Sequence, residues 1–183
     1  MPTETTLLVD HLDTPLGRLA IIVGDGRLCS VGWTDGHPRM ERTLGAATTL
    51  APASNPGGLT AALRAYFGGD VSAIDGLPVD PRGTEFQRVV WRALRDIPCG
   101  ETISYGTLAR RIGNANAVRA VGLANGANPV AVIVPCHRVI GSQGTLTGYG
   151  AGLARKRWLL AHEQAQAPAR SFSSRDRSAC NRR

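Results

Sequence analysis

The chain has 183 residues, with 43% hydrophobic and only 5% aromatic side chains, which suits one ordinary domain or two small ones. No apolar run approaches the roughly 20 residues of a membrane-spanning helix. Residues 1–6 have neither the basic nor the apolar region of a signal peptide. We therefore expect a cytoplasmic protein with reduced cysteines and no membrane partner.

The formal net charge of +7 is unevenly distributed along the chain. Residues 1–83 carry 6 basic and 9 acidic side chains, whereas residues 84–165 carry 10 basic and 4 acidic ones. This clustering favours contact between the second half and a polyanion. A general preference for arginine explains why Lys156 is the only lysine among 21 basic residues. That preference does not explain why the charges cluster.

The first half, residues 1–83, is predicted to be an N-terminal α/β structural domain with a linker. Two apolar runs flank Gly24-Asp25-Gly26, which predicts a hairpin. The predicted elements are strands at 5–11, 18–23 and 27–33, a loop with some helix at 34–57, a helix at 59–67 and a strand with linker at 70–83. Nothing in this half assembles a reactive cluster.

Cysteine usage does not indicate a metal or a redox pair. The four cysteines are Cys29, Cys99, Cys136 and Cys180, and none lies in a C-x-x-C pair. A zinc site made by Cys29 with His11 and His37 would fit no closed ligand pattern. We expect neither a metal nor a cofactor.

A clear helix begins the second half of the chain. Thr84 and Gln87 form a capping-box pattern, and Pro98-Cys99-Gly100 ends the helical period. The predicted core face consists of Phe86, Val89, Val90, Leu94 and Ile97.

Two short predicted helices follow, joined by a turn at Gly113, as in a helix-turn-helix. Ser104 or Thr107 is a candidate cap for the first helix, which runs to Ile112, and Asn116 for the second. The second helix has an apolar set, Val118, Val121 and Leu123, and small residues around Arg119, namely Ala117, Ala120, Gly122, Ala124 and Gly126. This smooth surface favours insertion of Arg119 into a narrow groove. The alternative is tight helix packing with a solvated arginine.

A thiol, an imidazole and a guanidinium follow the apolar run at 130–134. Pro135 stops a regular strand, and Cys136 then lies beside His137 and Arg138. A cysteine in such a setting favours the thiolate, which is the reactive form. The alternative is a buried packing cysteine.

Glu163, in a predicted helix at 153–166, is a candidate to orient His137 as a base. Neighbouring residues of an extended strand point to opposite sides. Cooperation of Cys136 and His137 therefore requires a bent backbone after Pro135 or a bridging water molecule.

Between these elements, residues 144–152 contain four glycines, so the backbone of this loop can approach a ligand closely. Residues 167–183 are rich in Ser and Arg and are predicted to form a disordered basic tail.

The segment Pro135-Cys136-His137-Arg138-Val139, with Asn128-Pro129 before it and Leu159-Leu160-Ala161-His162-Glu163 after it, resembles the O6-alkylguanine-DNA alkyltransferase family. The resemblance covers residues 84–165. It implies an α+β fold: a small RNase H-like α/β domain, followed at 84–166 by a helical winged helix-turn-helix DNA-binding domain with the active-site cysteine.

The activity implied by this resemblance is direct reversal of DNA alkylation. The alkyl group of O6-alkylguanine, with O4-alkylthymine as a further candidate substrate, passes irreversibly to Cys136 in a single turnover after the base is flipped. The implied partner is double-stranded DNA, bound through its minor groove by a monomer that can cluster along DNA.

Individual roles are implied by the matching positions. His137 takes the thiol proton through water, and Glu163 orients His137. Tyr105 rotates the 3′ phosphate and donates to the leaving guanine, Arg119 replaces the flipped base, and Asn128 is a hinge. The implied DNA-binding residues are Tyr105, Arg119, Ala120, Gly122 and Arg138. The implied base pocket includes Val139, Tyr149 and Gly150, the last being a position where the family often has serine.

Three other functions use part of the same residues. A cysteine hydrolase or acyltransferase would use Cys136, His137 and Glu163 but has no use for Arg119. A winged-helix regulator would use Cys136 as a redox or alkylation sensor. A protein that binds lesions without repairing them would lack the acceptor, which is present here.

Overall fold

The computed structural model describes residues 5–35 and 48–166, which form an α+β fold. The first half contains strands Thr5–Thr14 (β1), Gly17–Gly24 (β2), Arg27–Trp33 (β3) and Thr48–Pro52 (β4), a 3₁₀ turn at Pro56–Gly58 and helix Leu59–Phe67 (α1). The second half contains helices Glu85–Arg95 (α2), Tyr105–Arg111 (α3), Val118–Gly126 (α4) and Leu153–Gln166 (α5), the short strands Ile103–Ser104 (β5) and Val139–Ile140 (β6), and a 3₁₀ turn at Cys136–Arg138.

The first three strands form an antiparallel meander, in a sheet of order β3-β2-β1-β4. The predicted hairpin is confirmed. Asp25 and Gly26 both have positive φ, at 50° and 71°, as a tight hairpin turn requires. The first strand runs three residues beyond the predicted 5–11, because residues 12–14 continue the antiparallel pairing with residues 17–19 of β2.

The prediction of a loop with some helix at 34–57 is wrong for Thr48–Pro52, which forms β4 and pairs in parallel with β1. This strand is a partly exposed edge. It therefore lacks the apolar alternation that marks a strand in sequence, and Pro52 is tolerated at its end. Residues 36–47 lie outside the described part of the chain.

The two strongest helix predictions are confirmed. In α1, Leu59, Leu63 and Tyr66 are buried. At the start of α2 the capping box is complete, since the Gln87 N–H donates to Thr84 Oγ1 at 3.2 Å and the Thr84 N–H to Gln87 Oε1 at 2.9 Å.

The core face of α2 includes a residue that the helical pattern did not assign. Trp91 is buried, and its indole N–H donates to the Ala124 carbonyl at 2.9 Å. This bond joins α2 to α4 and fixes the position of the second helix of the pair.

That helix pair is present, with differences at its second member. Ser104 caps α3 by accepting the Thr107 N–H at 3.1 Å. The predicted cap at Asn116 is wrong, because α4 begins after Ala117 without a side-chain cap. Of the three predicted apolar residues of α4, only Val121 is buried, whereas Val118 is 40% and Leu123 is 73% exposed.

The two halves share one hydrophobic core and are joined by backbone hydrogen bonds at β3. On the outer edge of β3, the Val31 N–H donates to Pro129 O and Val31 O accepts from the Ala131 N–H, both at 2.9 Å. On the same edge, Ser30 Oγ donates to Pro129 O at 3.1 Å. The N-terminal sheet therefore holds the segment that leads to Cys136.

Within residues 5–35 and 48–166, no helix is long and apolar enough to cross a membrane. In the same ranges no three His, Cys, Asp or Glu side chains are grouped to hold a metal ion. His37, part of the zinc alternative, and the predicted tail at 167–183 lie outside the described residues.

Candidate active site and nucleic-acid-contacting face

A tight turn between α4 and Cys136 is organised by Asn128. Its Oδ1 accepts the Val130 N–H at 3.0 Å, and its Nδ2 donates to Val134 O at 2.7 Å. Val132, at the centre of the turn, is fully buried and has φ of 74°. A branched residue rarely adopts this conformation, which costs roughly 1–3 kcal/mol and needs support from its surroundings. The turn therefore fixes the direction in which the chain continues to Pro135 and Cys136.

The backbone bends immediately after Pro135, which is one of the two arrangements predicted to let Cys136 and His137 cooperate. Cys136–Arg138 form a single 3₁₀ turn rather than a strand. The Cys136 side chain is 7% exposed, and its sulfur accepts a hydrogen bond from Asn128 Nδ2 at 3.2 Å. A donor to sulfur favours the ionised form of the thiol.

Behind the thiol lies a buried charge network centred on Glu163. His137 Nε2 lies 2.8 Å from Glu163 Oε1. Arg138 donates to both carboxylate oxygens, from Nε at 2.8 Å and from Nη2 at 2.9 Å. Burial alone would raise the pKa of Glu163. The charges and hydrogen bonds of His137 and Arg138 outweigh burial and hold that pKa well below its usual range. The carboxylate is therefore a permanent anion.

This network makes His137 a neutral base with one free nitrogen. Burial lowers the pKa of His137, and Glu163 opposes the shift only in part. An ionised carboxylate only accepts hydrogen bonds, so Nε2 must carry the proton and Nδ1 the lone pair. Within the described residues, the buried Nδ1 has no hydrogen-bond partner. His137 can therefore accept a proton on the side away from Glu163.

The expectation that Arg138 binds DNA is contradicted. Arg138 is only 6% exposed, and besides its two bonds to Glu163 it donates from Nη1 to Ile97 O at 2.6 Å. The guanidinium neutralises a buried carboxylate and does not reach a surface where phosphates could lie. The basic surface of the second half comes from other residues.

A cleft of about 540 Å³, including space open to solvent, lies in front of Cys136. The lining residues come from both halves and include Val31, Trp33, Asn125, Asn128, Tyr149 and Gly150. Three lining residues carry buried polar atoms without partners in the described part of the chain: Trp33 Nε1, Asn125 Oδ1 and Tyr149 OH. An unpaired buried polar group costs about 1–3 kcal/mol. The cleft is therefore suited to a flat ligand with polar edges.

The role of Val139 at this pocket, through its backbone carbonyl, stays a prediction. Val139 is fully buried and is not part of the cleft lining, and its carbonyl accepts from Lys156 Nζ at 2.6 Å. Lys156 also donates to Thr147 O at 2.8 Å and so connects the Cys136 segment to the glycine-rich loop. Burial lowers the pKa of this lysine. Its sequence signal was its uniqueness, as the one lysine in an arginine-rich chain.

The face beside the cleft is formed by α3 and α4. Arg119 is exposed in the first turn of α4, and it forms no hydrogen bond or ion pair with residues 5–35 or 48–166. Leu123 projects from the same side one turn later. A Cβ at Gly122 would lie 3.9 Å from the Tyr105 ring, an ordinary van der Waals contact, so the packing of α4 against α3 does not require a glycine here. Burial raises the pKa of Tyr105, and its hydrogen bonds to Thr147 and Asn125 oppose the shift.

Several site residues were not found from the sequence. Asn125 is buried and donates from Nδ2 to Cys136 O at 3.4 Å. Tyr66, in α1, donates its hydroxyl to Glu163 Oε1 at 2.8 Å. Trp33 closes the cleft from β3, with Arg155 4.9 Å from its ring centroid. Each comes close to Cys136 or Glu163 only through tertiary folding, so no local pattern marks it.

Comparison with known proteins gives matches over both halves of the chain. Residues 7–81 match the 6-O-methylguanine DNA methyltransferase, ribonuclease-like domain, and residues 85–165 match the DNA binding domain of the same name. The methylated-DNA--protein-cysteine methyltransferase of Mycobacterium bovis is 57% identical over 161 residues, covering 86% of this chain and 93% of the relative.

Two crystal structures of the Mycobacterium tuberculosis protein are similar over 90% of this chain and 96% of theirs. The O6-methylguanine methyltransferase superposes with a TM-score of 0.77 at 44% identity. The corresponding protein in complex with DNA superposes with a TM-score of 0.75 at 45% identity. The similarity therefore includes both the fold and the presence of a DNA-binding domain.

Proposed function

The chain belongs to the 6-O-methylguanine DNA methyltransferase family, and from that premise we propose that Cys136 is the residue that accepts the alkyl group. The protein repairs O6-methylguanine in DNA by direct reversal, with a cysteine of the protein as acceptor. One observation supports the choice of Cys136 above all. The next residue, His137, has Nε2 bound to Glu163 and a buried Nδ1 that has no partner among residues 5–35 and 48–166, so Nδ1 can take a proton.

In the proposed reaction His137 Nδ1 takes the thiol proton through one water molecule, and the Asn128 amide stabilises the thiolate. Sulfur attacks the alkyl carbon, the S–C bond forms and the C–O6 bond breaks. The electron pair of that bond goes to the guanine, and Tyr105 donates a proton to the leaving base. The thioether has no route back to a thiol, so each molecule reacts once.

We propose that the damaged base enters the cleft by rotation out of the duplex. The base must leave the stack to reach Cys136, at a cost of a few kcal/mol that is smaller for a damaged pair. The exposed Arg119 on α4 would fill the gap from the minor groove, with Ala120 and Leu123 against the groove walls. Tyr149 and the Gly150 backbone would cover the base in the cleft.

A duplex that carries radiolabelled O6-methylguanine tests this reaction. We expect one methyl group per protein molecule, recovered on the peptide that contains Cys136. Label on the Cys29 or Cys99 peptide would contradict the assignment. Continued turnover beyond one equivalent, or turnover of an ester, would favour the hydrolase alternative.

Arg119→Ala tests base rotation separately from chemistry. We expect the rate of repair in duplex DNA to fall about tenfold or more, since the gap left by the flipped base is no longer filled. The rate with free O6-methylguanine base should change little. Both rates are measured under single-turnover conditions.

Arg88→Ala is the matched control for that variant, because Arg88 is an exposed arginine on α2 and its loss changes the net charge equally. We expect its repair rates to remain near those of the wild type. Equal losses on duplex and free base in Arg119→Ala would show that Arg119 has no part in base rotation.

A further inference from the structure

A tyrosine of the N-terminal domain contacts the proposed active-site network directly. The Tyr66 side chain is fully buried in the core, and its hydroxyl donates to Glu163 Oε1 at 2.8 Å. The contact spans 97 residues of sequence. At the adjacent position, His162 Nε2 lies 2.7 Å from Tyr66 O. Helix α1 thus holds α5 at two successive residues, one of which is the carboxylate that orients His137.

The hydroxyl binds the same carboxylate oxygen that His137 uses. Glu163 Oε1 lies 2.8 Å from His137 Nε2, 2.8 Å from the Tyr66 hydroxyl and 2.9 Å from Arg138 Nη2. Each of these hydrogen-bond donors partly neutralises the negative charge of Glu163 Oε1. The hydrogen bond from Tyr66 therefore reduces the charge that Glu163 presents to the imidazole.

We propose that Tyr66 is a positioning residue of the alkyl-transfer site, which fixes Glu163 and limits how strongly this carboxylate favours the protonated form of His137. The inference rests on the proposed roles of Cys136 and His137. It gives the N-terminal domain a role in determining how readily His137 accepts a proton, in addition to its contribution to the common core.

Other charged or titratable groups around the pair remain in place when the hydroxyl is removed. They are Arg138 from the 3₁₀ turn, Cys136 from the same turn, Cys99 from the loop after α2 and Lys156 from α5. Burial raises the pKa of Tyr66 far above its ordinary value, so the phenol stays a neutral donor over the pH range of the reaction.

The direction of the effect follows from the charge on Oε1. Without the hydroxyl, more negative charge faces His137, and the imidazolium form gains stability. The neutral base then appears only at higher pH. The acid limb of the rate–pH profile is the range in which the rate rises with pH as His137 becomes neutral. In a Tyr66→Phe variant this limb should move to higher pH by about half a unit. At a given pH on the limb, the rate would then be ~3-fold lower.

The matched control is Thr60→Val. Thr60 lies in the same helix, is buried, and donates its hydroxyl to Asp10 Oδ2 at 2.7 Å, away from Glu163. Both variants lose one buried hydroxyl and its bond to a carboxylate. The single-turnover rate of methyl transfer from a methylated duplex is measured between about pH 5 and pH 8 for the wild type and both variants.

We expect the acid limb to shift upward in Tyr66→Phe and to stay at the wild-type position in Thr60→Val. Coincident limbs in all three proteins, or equal shifts in the two variants, would overturn the inference. In parallel, the wild type must label the Cys136 peptide. Failure of that labelling would refute the proposed function whatever the Tyr66 result.

A second variant covers the case in which Tyr66→Phe does not fold. 3,5-Difluorotyrosine at position 66 keeps the ring and the hydroxyl but makes the hydroxyl a stronger donor. The charge presented to His137 then falls, so the acid limb should move to lower pH. An unchanged or upward-shifted limb in this protein would contradict the proposal.

Discussion

Cys136→Ser is expected to abolish methyl transfer, with no label on the protein above background, while binding to a methylated duplex stays within about twofold of wild type. A serine hydroxyl is not ionised at neutral pH and is a far weaker nucleophile than a thiolate. Asn128 Nδ2, 3.2 Å from the sulfur in the wild type, can donate to the serine oxygen instead. The fold and the DNA-contacting face should therefore be preserved.

The measurement combines label transfer with a gel-shift titration of the same duplex. Cys29→Ala is the control, because Cys29 is also buried but lies in β3 with its sulfur 3.7 Å from Arg27 O. It should still take up one methyl per molecule. Residual transfer in Cys136→Ser, or loss of transfer in Cys29→Ala, would show that Cys136 is not the acceptor.

Glu163→Gln is expected to lower the free energy of unfolding by roughly 3–5 kcal/mol, the usual cost of breaking a buried ion pair. Arg138, almost wholly buried, would keep its charge without a counter-ion. Methyl transfer should slow at least ~10-fold, because an amide can donate to Nε2 and so permit the tautomer whose Nδ1 cannot accept a proton.

Denaturant unfolding as a function of pH checks the origin of this loss. The pKa of Glu163 is held well below its usual range, so its contribution is present above the unfolded value of about 4.3 and is lost as pH falls below it. The difference between wild type and variant should therefore shrink below about pH 4. Burial also lowers the pKa of His137. Both proteins should consequently lose some stability below about pH 6.5.

Glu85→Gln is the control for the loss of a carboxylate, because Glu85 is exposed in the first turn of α2. The Glu85→Gln substitution should change the free energy of unfolding only slightly. It should leave the transfer rate unchanged. A loss of stability in Glu163→Gln no larger than in Glu85→Gln would mean that the buried network contributes little to the fold.

Local chemistry was readable from the sequence. The capping box at Thr84, the Gly24-Asp25-Gly26 turn and the need for a bend after Pro135 each depend on neighbouring residues, and each is present in the structure. The family followed from the resemblance of the motif around Cys136 to that of known alkyltransferases, because residue types alone left a hydrolase and a sensor as alternatives.

Tertiary partners were not readable from the sequence. The family resemblance implied a DNA contact for Arg138, but its partner Glu163 is 25 residues away, and the pair is buried. Strand β4 is defined only by its pairing with β1. Tyr66 has the helical spacing of an ordinary core residue, and nothing local shows that its hydroxyl meets a carboxylate.

The bonds between β3 and residues 129–131 have a consequence for synthesis of the chain. Ser30 bonds to a residue 99 positions later, so at about 5–20 residues per second the outer edge of β3 lacks this cover for roughly 5–20 s on the ribosome. An uncovered strand edge is a template for pairing with other chains. Residues 78–80 already pair with Leu28 on that edge, so a nascent chain stopped before residue 129 would permanently expose its other part, around Val31. Premature termination in the second half should therefore yield aggregates rather than a soluble N-terminal domain.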